Sequence, residues 1–263
     1  MLNIDLHNKV AVVTGSGSGI GKGTATALVR SGCSVLLVDI NKENLEEVCA
    51  ELKNAGGKVQ TFAADVSSEE EIQRLAAFVQ STYGRLDILC NIAGITRKKP
   101  VFDMESGEWY KVINVNLSSV FLTCKYLGKI IKDSRESDND FGKVINIASI
   151  GSFQGIPLSS GYCASKGGVH TLTKVLSTEW AQYKITVNAI VPGYIKTPLS
   201  SGVLKDPDAY KKVTSSIPMG KLGNVFDVAN AILFLVSQSS NYITGIDLPV
   251  DGGFLSSAYT VNN

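Results

Sequence analysis

The chain has 263 residues, a length compatible with one large α/β domain, and its 44% of hydrophobic residues is enough for a sizeable core. The 25 basic and 24 acidic residues give a formal net charge of +1, which argues against a dedicated surface for nucleic acid or anionic membranes. No apolar run reaches the roughly 20 residues that cross a bilayer, and the first residues lack the pattern of a signal peptide. Five scattered cysteines without a CxxC pair, together with only two histidines, indicate a cytoplasmic protein without a metal site.

Short apolar runs alternate with amphipathic stretches along the chain. Strands are predicted at 9–14, 34–39, 58–63, 87–91, 143–146, 186–190 and 247–250. Helices are predicted at 19–31, 42–55, 67–83, 106–132 in two pieces, 162–182 and 225–237, with capping-box spacing of Ser67 and Glu70 at the third. This alternation predicts a single α/β domain over 1–263, a Rossmann-type doubly wound parallel sheet of about seven strands.

Two segments interrupt the alternation. Residues 133–140 (DSRESDND) are polar and charged, which predicts a solvated surface loop. Residues 197–218 carry serine, glycine and proline without a clear period, which predicts an irregular, mobile segment beside a binding site.

A glycine-rich turn follows the first predicted strand. The sequence TGSGSGIG at 14–21 joins that strand directly to the first predicted helix. Glycines permit a sharp turn and a close approach of the backbone to a pyrophosphate, and the helix start offers free N–H groups to the anion. Because the strand–turn–helix context is present, the motif predicts a dinucleotide site rather than a plain tight turn.

The end of the second predicted strand indicates which dinucleotide binds. Asp39 stands 18 residues after Gly21, where a carboxylate can accept both ribose hydroxyls of an adenosine and would repel a 2′-phosphate. No Arg or Lys occupies position 16, 18 or 40. The sequence therefore favours NAD over NADP.

Three side chains of the second half are candidates for proton transfer. Tyr162 and Lys166 are four residues apart on a predicted helix and share one face, and Ser149 follows a predicted strand. A hydride transfer to a carbonyl needs a proton donor for the developing alkoxide. We expect the Lys166 ammonium to lower the pKa of Tyr162, so that the tyrosine acts as acid or base near neutral pH.

These motifs, in their order and spacing, resemble the short-chain dehydrogenase/reductase family over almost the entire chain. The matching elements are TGSGSGIG at 14–21, DV at 65–66, NIAG at 91–94, VNL at 115–117, INIAS at 145–149, YCASK at 162–166, PG at 192–193 with Thr197, and VDGG at 250–253. Ser149 precedes Tyr162 by 13 residues, the spacing usual in that family.

The resemblance implies an oxidoreductase that interconverts a secondary alcohol and a ketone, assembled as a homotetramer with the run after Asp251 in a second interface. It implies that Tyr162 is the acid or base, that Lys166 binds the nicotinamide ribose, that Ser149 positions the substrate oxygen and that Asn116 holds a water. The implied cofactor-binding residues are Gly15, Ser18, Gly19, Ile20, Gly21, Asp39, Asp65, Val66, Asn91, Ala93, Gly94, Tyr162, Lys166, Pro192, Gly193, Ile195 and Thr197.

Four stretches are also similar to the group of gluconate 5-dehydrogenases and 2-deoxy-gluconate 3-dehydrogenases. They cover 93–100, 145–155, 165–174 and 187–207, and they imply a sugar acid, sugar or polyol as the substrate. Arg97 is the candidate for a substrate carboxylate, beside Ser149 and Tyr162, because its planar guanidinium can hold a carboxylate with two hydrogen bonds. The alternative is a solvated basic loop, which we prefer for Lys98 and Lys99.

Two other functions stay open at this point. One is a 3-oxoacyl-carrier-protein reductase of the same fold, and Asp39 argues against it because such reductases usually use NADPH. The other is a dinucleotide-binding regulator without turnover. The complete set of Asn116, Ser149, Tyr162 and Lys166 argues against a regulator, since a sensor has no need for a proton relay.

Overall fold

A single sheet of seven parallel strands organises the computed structural model, which describes residues 4–135 and 140–257. The sheet order is β3-β2-β1-β4-β5-β6-β7. The strands are β1 (Val10–Thr14), β2 (Ser34–Asp39), β3 (Val59–Ala63), β4 (Ile88–Asn91), β5 (Gly142–Ile147), β6 (Ile185–Pro192) and β7 (Asp247–Val250). The prediction of one doubly wound parallel sheet is confirmed, and every strand lies within about two residues of its predicted position.

Helices cover both faces of this sheet. In the described ranges they are α1 (Gly19–Arg30), α2 (Lys42–Asn54), α3 (Glu69–Tyr83), α4 (Ser106–Ile113), α5 (Ser119–Arg135), α6 (Ser160–Trp180), α7 (Ser201–Lys205), α8 (Pro207–Ser215) and α9 (Val225–Val236). One core layer packs α3, α5 and α6 on the sheet, and the other packs α1, α2 and α9. All residues of β1, β5 and β6 are buried, because strands covered on both faces have no side open to water.

The topology creates a crevice between β1 and β4. These neighbours are paired in parallel, although β2 and β3 intervene between them in sequence. From this point the strand order runs in opposite directions, so that the connections after β1 and after β4 leave the sheet on opposite faces. The crevice at the carboxyl ends of such strands is where open α/β sheets bind their ligands.

One detail of the helices differs from the prediction, and another agrees with it. The N-cap of α3 is Ser68, whose Oγ accepts from the N–H of Glu71 (3.3 Å), so the capping-box assignment of Ser67 and Glu70 is wrong. The Ser67 hydroxyl instead donates to Asp65 (2.6 Å). The helix predicted over 106–132 is indeed divided, and residues 114–118 form a π-helical turn between α4 and α5.

The segment 197–218 is more regular than predicted. It contains α7 and α8, and Asp206 caps α8 by accepting from the N–H groups of Asp208 (3.0 Å) and Ala209 (3.1 Å). The Asp–Pro pair at 206–207 was the signal in the sequence, since Asp is a strong N-cap and Pro suits the first helical position. Neither helix contains a buried residue, so the segment rests on the surface of the domain. Its mobility stays a prediction.

Two predicted features lie partly outside the described residues. The loop predicted at 133–140 begins inside the last turn of α5, and 136–139 fall outside the described ranges, as do 258–263 of the C-terminal run. Among the helices that the structure describes, none combines the length and hydropathy needed to cross a lipid bilayer.

Candidate active site

A cavity of about 1300 Å³ opens along the carboxyl ends of the strands. It exceeds the roughly 300–1,000 Å³ of a typical small-molecule pocket, so a dinucleotide and a small substrate can share it. The residues predicted from the sequence that line the cavity are Gly15, Ser18, Gly19, Ile20, Gly21, Asp39, Asp65, Val66, Ala93, Gly94, Arg97, Ser149, Tyr162, Lys166, Pro192, Gly193, Ile195 and Thr197. Two predicted residues, Asn91 and Asn116, do not line it.

The glycine-rich turn passes too close to neighbouring backbone for side chains. Gly15 has a φ of +67°, and a Cβ there would lie 2.8 Å from the backbone of Ala93. A Cβ on Gly21 would overlap the carbonyl of Gly15. The N-cap of α1, Ser18, makes no side-chain capping bond, which leaves first-turn N–H groups to an outside acceptor. This geometry fits a pyrophosphate at the start of α1.

Asp39 is fixed in the cavity wall by backbone donors. Its Oδ2 accepts from the N–H of Gly17 (3.0 Å) and its Oδ1 from the N–H of Asn41 (3.0 Å). A Cβ on Gly17 would lie 3.0 Å from the same carboxylate and 3.1 Å from Asn44, so this position has no room for a basic side chain. In the described part of the chain no Lys or Arg forms an ion pair with Asp39.

The loop after β3 forms another part of the wall. Asp65 accepts from both the N–H (2.9 Å) and the hydroxyl (2.6 Å) of Ser67, and its own N–H donates to Glu71 (2.8 Å). These bonds hold Asp65 and the buried Val66 in one conformation at the edge of the cavity. The loop is therefore preorganised for a ligand.

Asn91 supports the sheet instead of the cavity. Its amide donates to Asn146 on β5 (2.9 Å), and its carbonyl accepts from the hydroxyl of Thr123 on α5 (2.7 Å). The structure thus places this residue between two strands and a helix, because a buried amide needs all its partners satisfied. These bonds give Asn91 the sheet-supporting role that was expected of it, and its contact with a cofactor stays a prediction.

Ser149, Tyr162 and Lys166 meet in the cavity as their spacing predicted. Ser149 follows β5 and accepts from the N–H of Gly151 (3.1 Å). Tyr162 lies in the first turn of α6 and interacts with the Ser149 hydroxyl, and Lys166 lies one turn later. The Lys166 ammonium donates to the carbonyl of Ile147 (2.7 Å) and is 6.0 Å from the centre of the Tyr162 ring.

Burial controls the protonation of this pair. It raises the pKa of Tyr162, and the hydrogen bond with Ser149 opposes that shift. It also lowers the pKa of Lys166 to about 8. Burial sets the net upward direction of the shift in the pKa of Tyr162, and the lowering influence of Lys166 that the sequence led us to expect stays a prediction. Tyr162 is therefore a phenol, a proton donor, at neutral pH.

Asn116 lies one layer behind the cavity, in the π-helical turn. It is fully buried, and its amide group bonds both the N–H (2.8 Å) and the carbonyl (2.9 Å) of Ile95 and the hydroxyl of Ser165 (3.1 Å). A Cβ on Gly94 would lie 3.4 Å from Asn116 and 3.6 Å from the Lys166 ammonium, so both side chains border this glycine. A π turn inside a helix often marks such a functional position.

Arg97 lines the cavity but already has a carboxylate partner. Its Nε donates to Glu108 Oε1 (2.7 Å), its Nη2 lies 2.5 Å from the same oxygen, and Lys99 donates to Oε2 (2.8 Å). These bonds lower the pKa of Glu108 to about 2. Sequence reasoning missed Glu108, since nothing in the chain signals a contact between this helix and a loop.

Further lining residues come from α4 and from the loop after β6. Gly107, Tyr110, Lys111 and Asn114 recur at helical spacing, which presents one face of α4 to the cavity. Tyr194 adds an aromatic ring. This helical spacing on α4 can be read from the sequence.

Among the described residues no group of three or more His, Cys, Asp and Glu side chains is arranged to hold a metal ion.

Comparison with known proteins agrees with this arrangement. A family model described as enoyl-(acyl carrier protein) reductase matches residues 15–255. The chain is 38% identical over 251 residues to a 3-oxoacyl-[acyl-carrier-protein] reductase of Thermotoga maritima, covering 95% of this chain and 99% of that protein. It is 35% identical over 253 residues to a 2-dehydro-3-deoxy-D-gluconate 5-dehydrogenase of Escherichia coli, covering 95% and 97%.

A solved structure extends the likeness to three dimensions. The gluconate 5-dehydrogenase of Burkholderia cenocepacia, in complex with NADP and tartrate, has a TM-score of 0.92 and 30% identity, and the match covers 97% of this chain and 98% of that chain. The matched regions include the glycine-rich turn and the Ser149, Tyr162 and Lys166 constellation. The chain therefore belongs to the short-chain dehydrogenase/reductase family, as an oxidoreductase that acts on a small-molecule alcohol or ketone with a dinucleotide cofactor.

Proposed function

We propose that this protein catalyses the NAD-dependent interconversion of a secondary alcohol and a ketone on a sugar acid, sugar or polyol. The observation that carries the proposal is the distribution of charge in the cavity wall. Carboxylates, Asp39 and Asp65, occupy the loops after β2 and β3, whereas Arg97 and Lys98 occupy the loop after β4. Asp39 suits an unphosphorylated ribose, and the basic loop suits an anionic substrate.

Each polar residue of the site has a separate role in the proposed reaction. The Ser149 hydroxyl holds the substrate oxygen, and Tyr162 gives its phenolic proton to that oxygen during reduction and takes it back during oxidation. The positive charge of the Lys166 ammonium stabilises the phenolate, and the ammonium bonds the ribose of the bound nucleotide. NAD, when bound, supplies the hydride acceptor or donor. Asn116 keeps Ile95 and Ser165 in place and holds a water for proton exchange.

The cofactor would lie across the carboxyl ends of the strands. The pyrophosphate belongs at the start of α1 beside Gly15–21, and the adenosine belongs at Asp39, Asp65 and Val66. The nicotinamide side belongs at Thr197 and Ile195. The related Burkholderia structure holds NADP. We nevertheless assign NAD here, because Asp39 is fixed by two backbone donors and forms no ion pair with a Lys or Arg within the described ranges.

A second candidate function is reduction of a 3-oxoacyl group carried on a thioester. The Thermotoga maritima relative bears that name and matches 95% of this chain. Asp39 opposes this candidate, since a 2′-phosphate would meet its carboxylate. A regulator without turnover is less suited to a site that places Ser149, Tyr162 and Lys166 together.

The family assignment also underlies two proposals about the cell and the assembly. We propose a homotetramer and a cytoplasmic location. All five cysteines are free thiols, and four of them are buried, which suits a reducing compartment.

Turnover measurements separate these functions. We would assay the purified protein with NAD⁺ and NADP⁺ on D-gluconate and on D-glucitol, its neutral analogue, and in reverse with acetoacetyl thioester and either reduced cofactor. The proposal expects oxidation of a sugar acid or polyol, with kcat/KM for NAD⁺ about tenfold or more above that for NADP⁺. Efficient reduction of the thioester with NADPH would instead establish the second candidate.

A further inference from the structure

Residues 95–99, which we call the strap, cross the cavity wall between two anchors. At one end the Asn116 side chain bonds the N–H (2.8 Å) and the carbonyl (2.9 Å) of Ile95. At the other end the N–H of Lys99 donates to the carbonyl of Leu158 (2.8 Å), shortly before α6 and Tyr162. Leu158 adopts a φ of 64°, a left-handed conformation that is costly for leucine. The strap is therefore held beside the catalytic tyrosine at the cost of local strain.

A third anchor holds the middle of the strap. Glu108, on α4, receives the Nε and Nη2 groups of Arg97 on one oxygen and the ammonium of Lys99 on the other. The Glu108 side chain is only 18% exposed, whereas that of Arg97 is 55% exposed. The carboxylate thus lies beneath the two cations. Its lowered pKa, about 2, follows from these hydrogen bonds and keeps it ionised across all working pH values.

The contact between Arg97 and Glu108 occupies one edge of the guanidinium and leaves a second edge without a protein acceptor among the described residues. Arginine presents five N–H donors on a rigid plane, and the bond to Glu108 occupies the edge formed by Nε and Nη2. In the contacts of the described residues, Nη1 has no protein acceptor. Arg97 lines the cavity, so its remaining edge is available to a second carboxylate.

The strap also retains net positive charge after this pairing. Arg97, Lys98 and Lys99 carry three positive charges against the single negative charge of Glu108. Lys98 lines the cavity and forms no ion pair within the described ranges. An anionic group that enters beside Tyr162 therefore meets Arg97 and Lys98 together.

We infer that Glu108 is a positioning residue for substrate selection: it orients Arg97 so that the free edge of the guanidinium, with Lys98, receives the carboxylate of an anionic substrate. This inference rests on the proposed function, since it presupposes that sugar acids are substrates. Glu108 touches neither substrate nor cofactor and acts through Arg97.

The test is a double-mutant cycle read on two substrates. Glu108→Gln, Arg97→Gln and the double variant are compared for KM and kcat with D-gluconate and with D-glucitol, which differ only in the carboxylate. Glu69→Gln is the matched control, because Glu69 pairs with a lysine and bonds a second side chain on α5, away from the cavity. Thermal shift on addition of D-gluconate to the enzyme with NADH gives a binding readout without turnover.

We expect Glu108→Gln to raise KM for D-gluconate about tenfold, with a much smaller change for D-glucitol, and to reduce the D-gluconate thermal shift. The control variant should match the unmodified enzyme. In the Arg97→Gln background the same Glu108 substitution should add little, since both residues act on one contact. Fully additive effects, or equal effects on both substrates, would mean that Glu108 only stabilises the fold.

The two proposals fail in different ways. If the unmodified enzyme oxidises D-gluconate but the variants affect both substrates alike, the positioning role of Glu108 is wrong and the proposed function stands. If the unmodified enzyme neither oxidises nor binds D-gluconate and accepts only neutral alcohols, the sugar-acid assignment is wrong, and the positioning role is overturned with it.

Discussion

Tyr162 is a buried phenol, and its protonation sets the pH dependence that we expect for the reaction. Burial raises its pKa, so the phenol is retained at neutral pH and phenolate becomes populated only as pH rises. In the proposed mechanism, reduction of a ketone consumes the phenol, whereas oxidation of an alcohol needs the phenolate. We therefore expect alcohol oxidation to accelerate through the alkaline range, and ketone reduction to slow there.

Replacement of Tyr162 by Phe tests this assignment. The change removes one oxygen and should leave the fold and NADH affinity intact, while kcat falls by about 10² or more, the scale of general acid–base catalysis. Steady-state kinetics across pH, with NADH titration as the control, provide the measurement. A Phe variant with near-normal kcat, or with an unchanged pH profile, would place the proton donor elsewhere.

Asp39 offers a prediction about cofactor choice. Asp39→Ala removes the carboxylate that would repel a 2′-phosphate, and the ratio of kcat/KM for NAD⁺ over NADP⁺ should fall by about tenfold, or about 1.4 kcal/mol. Asp65→Ala is a useful comparison, because Asp65 also lines the cavity but bonds Ser67. Equal use of both cofactors by the unmodified enzyme would refute the assignment of Asp39.

For single residues, the sequence predicts the candidate site best where helical spacing alone brings the side chains together. Tyr162 and Lys166 share a helix face, and helical geometry alone brings them together. The contact of Glu108 with Arg97 could not be predicted from the sequence. It joins a helix to a loop whose path depends on the anchors at Asn116 and Leu158. Such contacts depend on tertiary packing, which short spacing does not encode.

Among the elements, β5 contains an unusual buried charge. Lys143 is 2% exposed, and its ammonium donates to the hydroxyl of Ser240 (3.2 Å). Burial lowers its pKa from the ordinary 10.5 to about 8, although Asp140 opposes the shift. Between these two pH values the unfolded chain keeps a proton that the folded chain has released. The stability linked to Lys143 therefore rises as pH increases from about 8 to 10.5 and is lowest below pH 8.

Lys143→Met should remove this dependence. We expect the variant to melt at a higher temperature than the unmodified protein near pH 7, by about 2–4 °C for each kcal/mol gained, and the difference to shrink toward about pH 10. Thermal denaturation over that pH range measures it. Lys129→Met, an exposed position on α5, controls for the loss of a lysine as such. A difference that grows with pH would contradict the sign of the argument.

Most helices and strands could be predicted from the sequence, and a few could not. Strands such as β1 and β6 are continuous apolar runs between turn residues, and burial on both faces of the sheet requires that pattern. The helices α7 and α8 are short and bury no residue fully, so the sequence pattern that marks them is weak and predicts irregular structure instead. The π turn at 114–118 places Asn116 against Ile95, a contact between residues 21 positions apart that short-range spacing does not encode.

For the whole molecule, exposed apolar side chains on one side of the sheet indicate an assembly. Phe121 on α5 is 52% exposed and Val175 on α6 is 47% exposed. Both helices pack on the same sheet face, and their other sides are open in the single chain. Large apolar side chains on neighbouring helices suit a contact between copies better than they suit water.

We therefore expect the purified protein to scatter light as a homotetramer, with about four times the 28.0 kDa of one chain, at micromolar concentration. Replacing both Phe121 and Val175 by Asp places charge in the contact and should lower the measured mass, because a buried unpaired carboxylate is costly. Lys58→Asp, at an exposed position beside the edge strand β3, should leave the mass unchanged. A monomer for the unmodified protein would contradict the assembly, and a tetramer that survives the double substitution would place the interface on another face.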